Sequence, residues 1–334
     1  MVETHVSIEG PATIMVMLGF TMLEISDADI EKIRAAAPQG STIKVAKNSD
    51  EALAVAHDAD AIFGTILTEK LFKAAPRLRW MHTMASGVDM MLYPAMRDSS
   101  VVLTGEKGQV GGHLADTGMG LLLALTRQIA TSVRLGPDAW DQRMAMRAKE
   151  IELEGMTMGV VGFGGTGRAM ARRATAFGMA VLATDDNPVA PSDGVHEVWG
   201  NDRLPELLER SDVVAICCPL TAKTEKMFSD EAFDQMKNGA MIVNVTRGEI
   251  IDGDALVRAL QDGHCGGAAL DVTPLEPLPA DHALWTFDNV VMTPHTAGAS
   301  QLRAGRSLDR FCTNLKHIVK AEPMVGVIDK QAGY

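Results

Sequence analysis

Short apolar runs bounded by turn residues alternate with helical stretches along nearly the whole chain, and this alternation admits few folds. A strand that returns to a parallel neighbour through a helix gives an α/β protein with parallel sheets. The pattern predicts strands at Thr13–Leu18, Thr42–Ala46, Ala61–Thr65, Leu78–Thr83 and Val101–Thr104, with helices such as Asp27–Ala36 and Lys70–Ala75 between them. A long helix follows at Val110–Thr126, and Ser132–Lys149 reads as a more polar helix, an exposed arm or subunit contact carrying Trp140. A second series then begins with strand Met156–Val161, helix Gly165–Phe177 and strand Ala180–Ala183. Further strands are expected at Val213–Cys217, Ala240–Val245, Gly267–Val272 and Val290–Thr293, and an amphipathic helix over Ser300–Val319 closes the chain. At 334 residues two α/β domains are expected, the final helix being free to return to the first.

Composition narrows the partners. Hydrophobic residues at 46% and charged residues at 22% describe an ordinary globular protein. A net charge of −12 argues against nucleic acid or an anionic membrane as the main partner. The start of the chain has no basic region or small-residue cleavage site, and Thr13–Phe20 is too short to span a bilayer. Cys217, Cys218, Cys265 and Cys312 lack metal-site spacing, so reduced core thiols in a cytoplasmic protein without a metal are expected.

The stretch Gly162-Phe163-Gly164-Gly165-Thr166-Gly167 follows one apolar run directly and opens a helical one. That context makes G-x-G-x-x-G a dinucleotide fingerprint. Gly162 allows the tight turn, Gly164 lets a pyrophosphate approach the backbone, and Gly167 lets helix and strand pack closely. The pyrophosphate then meets a helix N-terminus, where N–H groups and the dipole favour an anion. Asp185 ends the next strand, 23 residues beyond Gly162, where a carboxylate accepts from a ribose 2′-hydroxyl and repels a 2′-phosphate. No arginine stands at positions 186–188, so NAD is favoured over NADP.

Three further segments sit where predicted strands end, the edge at which open α/β sheets bind ligands. Asn244-Val245-Thr246-Arg247-Gly248-Glu249 offers an arginine, a planar fork able to hold a carboxylate and polarise a carbonyl. Asp271-Val272-Thr273-Pro274-Leu275-Glu276 offers carboxylates, and Thr293-Pro294-His295-Thr296-Ala297-Gly298 a histidine suited to proton exchange near neutrality. Glu276 is the candidate to hold the other imidazole nitrogen. Taken singly, Arg247 reads as a salt-bridge arginine and His295 as a structural histidine. Together the three segments outweigh those readings.

With these stretches in family order, the chain resembles the D-isomer-specific 2-hydroxyacid dehydrogenases. GFGGTGRAMARRATAFGMAV with Asp185, CCPLTAKTEKMF, MIVNVTRGEIID, AALDVTPLEPLP and VVMTPHTAG carry the likeness, over roughly residues 78–300. The resemblance implies two Rossmann- or flavodoxin-like domains with an interdomain cleft, the dinucleotide-binding domain (106–298) being inserted into a substrate-binding domain (1–105 completed by 299–334). It implies an NAD-dependent enzyme moving a hydride between nicotinamide and C2 of a small 2-hydroxy or 2-oxo acid. Arg247 becomes the substrate clamp, His295 the acid/base and Glu276 its partner. Ser86 and Gly87, in Ala85-Ser86-Gly87-Val88-Asp89, hold the substrate carboxylate through backbone N–H groups. Around the cofactor it places Gly162, Gly164, Gly165, Thr166, Gly167, Asp185, Cys218, Pro219, Thr246, Asp271 (near the nicotinamide) and Gly298. A homodimer is usual.

The chain departs from that pattern at Cys217, where histidine is frequent, at Thr273, where an aromatic is frequent, and at Asp116, where glutamate is commoner. Glu276 speaks against formate dehydrogenases, which use glutamine there. The short tail after the closing helix speaks against a regulatory domain of the phosphoglycerate dehydrogenase kind. The alternative is an NAD-sensing, corepressor-like binding protein on the same fold. By resemblance, Phe20, Met22, Ile66, Leu67 and Met84 line an apolar substrate pocket without a cation for a phosphate, unless Lys70 or Lys107 supplies one.

Overall fold

A computed structural model describes Val6, Ile8 and residues 10–334. The chain divides into two compact units, one running to Gln109 and completed by Ala299–Tyr334, the other Val110–Gly298. The first holds strands β1 (Thr13–Met17), β2 (Thr42–Ala46), β3 (Ala61–Gly64), β4 (Trp80–Thr83) and β5 (Val102–Thr104). The second holds β6 (Thr157–Val161), β7 (Ala180–Asp185), β8 (Val198–Gly200), β9 (Val213–Ile216), β10 (Ala240–Asn244), β11 (Cys265–Leu270) and β12 (Val290–Met292). Their orders are β2-β1-β3-β4-β5 and β12-β11-β10-β9-β6-β7-β8, and every strand pairs in parallel. The architecture is thus two parallel-sheet α/β units.

Continuous apolar strands are explained by burial of both sheet faces. In β9, Val213 and Ala215 join one core cluster of the second unit, while Val214 and Ile216 join the other. In β10, Met241 and Val243 lie on one face and Ile242 on the other. The first unit repeats the scheme: Ile14 and Val16 of β1 face one cluster and Met15 the other. The closing helix Arg303–Lys320 returns to the first unit, where Phe311 stacks at 4.7 Å between centroids on both Phe63 and Trp80.

The segment expected to be one helix over Ser132–Lys149 is broken. Helix Ile129–Leu135 ends at Gly136, whose φ is +55°, and Pro137 follows with no N–H to continue it. A 3-10 turn Gly136–Trp140 and a short helix Arg143–Arg147 complete the stretch. The strand expected from Leu78 begins only at Trp80, and β8 was not anticipated. Among the described residues no helix is long and apolar enough to cross a membrane.

One device recurs at the edge where strands begin. Asp60, just before β3, accepts from Thr13 N at 2.8 Å and is gripped by Arg77. Asp212, just before β9, accepts from Thr157 N at 2.8 Å and from Lys237 Nζ at 2.8 Å. Each carboxylate ties the first strand of its sheet to the strand beside it. Burial pushes the Asp212 carboxyl up, but Lys237 and the Thr157 N–H outweigh it and hold it below the usual carboxylate range. Asp212→Asn should therefore destabilise the fold by about 1.5–3 kcal/mol, the usual worth of hydrogen bonds to a charged group. A carboxyl lowered in the folded state stabilises above its unfolded pKa, and that contribution fades as pH falls. Urea unfolding should show the deficit in full at pH 7 and a smaller one near pH 4.

Candidate active site

In a parallel sheet all strands end at one edge, so the second unit gathers there every loop marked in the sequence. Read across the sheet, the ends carry His295 (after β12), Glu276 (after β11), Arg247 (after β10), Cys218 (after β9), the glycine turn (after β6) and Asp185 (at the end of β7). Chain order reverses between β9 and β6, the switch point at which loops diverge and ligands bind.

The glycine turn has the form a dinucleotide needs. Gly162 has φ +93°, and a Cβ there would lie 2.6 Å from the Cys218 backbone. A Cβ on Gly167 would lie 2.0 Å from the Gly162 carbonyl oxygen. Over Gly164, by contrast, a Cβ would meet nothing within 4 Å, leaving open space against bare backbone. The helix Gly165–Ala176 starts here without a side-chain cap, and Gly165 and Thr166 lie at its first turn. Amides left uncapped at a helix N-terminus favour an anion such as a pyrophosphate. Asp185 braces the turn, its two carboxylate oxygens accepting from Phe163 N at 2.8 Å and Asn187 N at 2.9 Å. Its neighbour Asp186 pairs with Lys223 at 2.9 Å. Cys218 is buried against this turn, and burial pushes its thiol up to about 12, so it is a packing group rather than a thiolate. Pro219 is exposed beyond it, its carbonyl taking the Thr224 hydroxyl at 2.7 Å.

After β10 the chain turns around buried Asn244. Its Oδ1 accepts from Thr246 N at 3.0 Å and its Nδ2 donates to the Arg247 carbonyl at 2.8 Å. Arg247 is thus fixed at the backbone, and its Nη1 donates to Thr246 O at 2.9 Å. The next residue must be glycine: a Cβ on Gly248 would stand 1.8 Å from the Thr273 carbonyl oxygen. The loops after β10 and β11 therefore interlock, bringing the arginine loop beside the glutamate loop.

His295 depends on Asp271. That buried carboxylate accepts from the Thr293 hydroxyl at 2.6 Å and from the N–H groups of Thr296 and Ala297, each at 2.9 Å. The Asp271 carbonyl also accepts from His295 N at 2.8 Å. His295 itself has φ +55°, a strained conformation for a side chain of this size. Its Nδ1 lies 2.7 Å from Glu276 Oε2, and Glu276 Oε1 accepts from Thr273 N at 3.0 Å. A carboxylate only accepts, so the proton sits on Nδ1 and the ring presents Nε2 for proton exchange. The pair is accessible, His295 at 46% and Glu276 at 37% side-chain exposure. Gly298 ends the loop half-buried.

In the first unit, Ser86 and Gly87 follow β4 at its C-terminal end, accessible to solvent. Met84 N donates to Gly64 O at 2.8 Å and Ala85 N to Thr83 Oγ1 at 2.9 Å, so the turn is anchored just ahead of them. The expected pocket wall is altered. Met22, Leu67 and Met84 are buried in the unit's own core, leaving Phe20 and the half-buried Ile66 of that set at the surface. An apolar residue in a turn can face either way, and these three complete the cores beneath the sheet. Among the described residues no three His, Cys, Asp or Glu side chains form a metal-binding group. Sequence reasoning passed over Asn244 and Gly248, although both lie within a segment it singled out.

Comparison with known proteins accords with this geometry. Residues 119–297 match the family described as D-isomer specific 2-hydroxyacid dehydrogenase, NAD binding domain. The chain is 34% identical over 290 residues to a glyoxylate reductase of Thermofilum pendens, covering 84% of this chain and 85% of that one. It is 35% identical over 288 residues to a D-3-phosphoglycerate dehydrogenase of Methanocaldococcus jannaschii, covering 84% of this chain and 53% of the relative. A solved D-isomer specific 2-hydroxyacid dehydrogenase family protein from Aeromonas salmonicida has a TM-score of 0.80 at 26% identity, covering 96% of this chain and all (100%) of that one. The chain therefore belongs to the D-isomer specific 2-hydroxyacid dehydrogenase family, and is an oxidoreductase that uses a nicotinamide dinucleotide to move a hydride to or from C2 of a 2-hydroxy or 2-oxo acid.

Proposed function

We propose that the chain reduces a small, unphosphorylated 2-oxo acid with NADH, Arg247, His295 and Glu276 being its catalytic residues. The observation that carries this reading is the 2.7 Å contact of His295 Nδ1 with Glu276, which follows β11, the strand beside the one that leads to Arg247. When bound, the reduced nicotinamide supplies the hydride. Arg247 holds the substrate carboxylate and polarises the C2 carbonyl where negative charge develops. His295 gives the Nε2 proton to that oxygen, and Glu276 holds the ring through Nδ1. In the first unit, Ser86 and Gly87 offer backbone N–H groups to a carboxylate. Gly162, Gly164, Gly165, Thr166 and Gly167 cradle the pyrophosphate, and Asp185 takes the adenosine ribose. Cys218, Pro219, Thr246 and Gly298 border the dinucleotide. Asp271 acts near the nicotinamide end by holding the His295 loop.

Residues 106–298 form the dinucleotide-binding domain on this reading, and 1–105 with 299–334 the substrate-binding domain. Phe20 and Ile66 lie after strands of the first unit and favour an apolar substituent at C3, whereas a phosphate would need a cation beside it. We assign the chain to the cytoplasm on its four buried free thiols. We assign it a homodimer on the arm 129–151, where Val133 and Trp140 are 76% and 77% exposed and Ile129, Met144 and Ile151 are also uncovered. Apolar side chains grouped in this way mark an interface, and a second copy is the simplest occupant.

Arg247→Ala should lower kcat/KM for reduction by roughly 10²–10³-fold, as expected for removing a donor at a developing oxyanion. Glu276→Gln should lower it by about ten-fold or more while NADH binding stays unchanged, since the carboxylate acts through His295. Stopped-flow NADH oxidation with glyoxylate, hydroxypyruvate, pyruvate and larger 2-oxo acids measures both, and separates an enzyme from an NAD-sensing binding protein, which turns over none. 3-Phosphohydroxypyruvate as the best substrate would refute the substrate assignment. Asp185→Ser with Asp186→Arg should weaken NADH and improve NADPH, read as the ratio of the two KM values; a wild type that prefers NADPH contradicts the assignment. Val133→Glu with Trp140→Glu should give a monomer by light scattering, and an unchanged mass would move the interface elsewhere.

A further inference from the structure

The closing helix carries two buried stripes. One is apolar: Leu308, Phe311, Cys312, Leu315 and Ile318. The other, at helical spacing, is polar: Arg303, Ser307, Arg310 and Asn314. Ser307 and Asn314 are fully buried (0% exposed) and Arg303 nearly so (9%). A polar stripe in an interior has to be justified by what it binds. Asn314 exchanges hydrogen bonds with Val325, donating at 3.0 Å and accepting at 2.8 Å. Arg310 donates to the carbonyls of Gly105 at 3.0 Å and Lys107 at 2.7 Å. Arg303 donates from Nη2 to the carbonyl of Met84 at 2.5 Å. That carbonyl immediately precedes Ala85-Ser86-Gly87, and the Met84 N–H is already committed to Gly64 O. Both sides of Met84 are thereby held, and the direction in which the next residues leave β4 is fixed.

The charge beneath this turn is unusual. Glu106 is 1% exposed and His82 fully buried (0%). Thr104 Oγ1 accepts from Trp80 Nε1 at 2.8 Å and lies 2.8 Å from His82 Nδ1. On the other side of the ring, His82 Nε2 is 3.7 Å from Glu106 Oε1. Burial pushes the His82 imidazole down, against the pull of Glu106, and keeps it neutral. Burial also lowers the proton affinity of Arg303 and Arg310, and Glu106 raises both, so this single carboxylate bears on both guanidiniums.

We propose that Arg303 is a positioning residue for the substrate carboxylate: it fixes the Met84 carbonyl, and with it the Ser86 and Gly87 amides. The proposal rests on the reading of Ser86–Gly87 as the carboxylate site. Arg303 touches no reacting atom, so its loss should appear in KM and not in kcat. With glyoxylate as the probe, Arg303→Met should raise KM about 10–100-fold while kcat and the NADH Kd, from fluorescence titration, stay within about two-fold. Arg303→Lys keeps the cation and a donor and should recover most of that loss, leaving KM about three- to five-fold above wild type. A folded Arg303→Met enzyme with wild-type KM overturns the proposal. If that variant does not fold, Arg303→Lys decides: a raised KM at constant kcat supports it, and a lower melting temperature with wild-type KM overturns it. Gly87→Ala separates the underlying reading. If it leaves KM unchanged, the turn is not the carboxylate site and both ideas fall. If it raises KM while Arg303→Met does not, only the role of Arg303 falls.

Discussion

Parallel pairing cannot close through a hairpin, so each strand of the second sheet must be re-entered by a crossover from the far edge. With all seven strands aligned, every strand end lies on one side and every strand start on the other. The two edges carry different work. At the starting edge, Asp212 ties β6 to β9, as Asp60 ties β1 to β3 in the first sheet. At the finishing edge, the glycine turn, Asp185, Arg247, Glu276 and His295 stand on neighbouring strand ends although they span residues 162–295. The reversal of order between β9 and β6 divides that edge into one side carrying the glycine turn and Asp185 and another carrying Arg247, Glu276 and His295.

Loops at such an edge are not placed by strand direction alone. The loop after β10 is turned by Asn244 and pressed through Gly248 onto the Thr273 carbonyl, and the loop after β12 is gathered by Asp271. Three buried or half-buried polar groups therefore set where Arg247, Glu276 and His295 stand. The loop of each strand is fastened to that of the next.

Much of this could be read from the chain. The strand–glycine–helix pattern and Asp185 are local features, and a local feature survives folding with its spacing intact. The partnership of His295 with Glu276 spans 19 residues but follows from two adjacent parallel strands, so the alternation of elements was enough to suggest it. What stayed hidden depends on packing. Nothing in Met22, Leu67 or Met84 says which way an apolar turn residue faces, and the cores took all three. The break at Gly136–Pro137 was legible in hindsight, since that dipeptide ends helices. The polar stripe of the closing helix was invisible to a search for apolar periodicity. Its residues look like a solvent face until their partners, the carbonyls of Met84, Gly105 and Val325, are known.

The energetics show why the groups that touch ligands differ from those that hold them. The His295–Glu276 pair is well exposed, and an exposed ion pair contributes about 0–1 kcal/mol. The left-handed backbone at His295 costs on the order of 1–3 kcal/mol, so the pair alone does not hold the ring where it stands. Asp271 offsets the difference. Its carboxylate accepts three hydrogen bonds in the interior, each worth roughly 1.5–3 kcal/mol when the acceptor is charged. The strain is thus carried by a buried carboxylate that is fully occupied with donors. The same division separates Arg303 from Ser86 and Gly87: a buried cation grips the Met84 carbonyl, and the residues that follow it reach the surface.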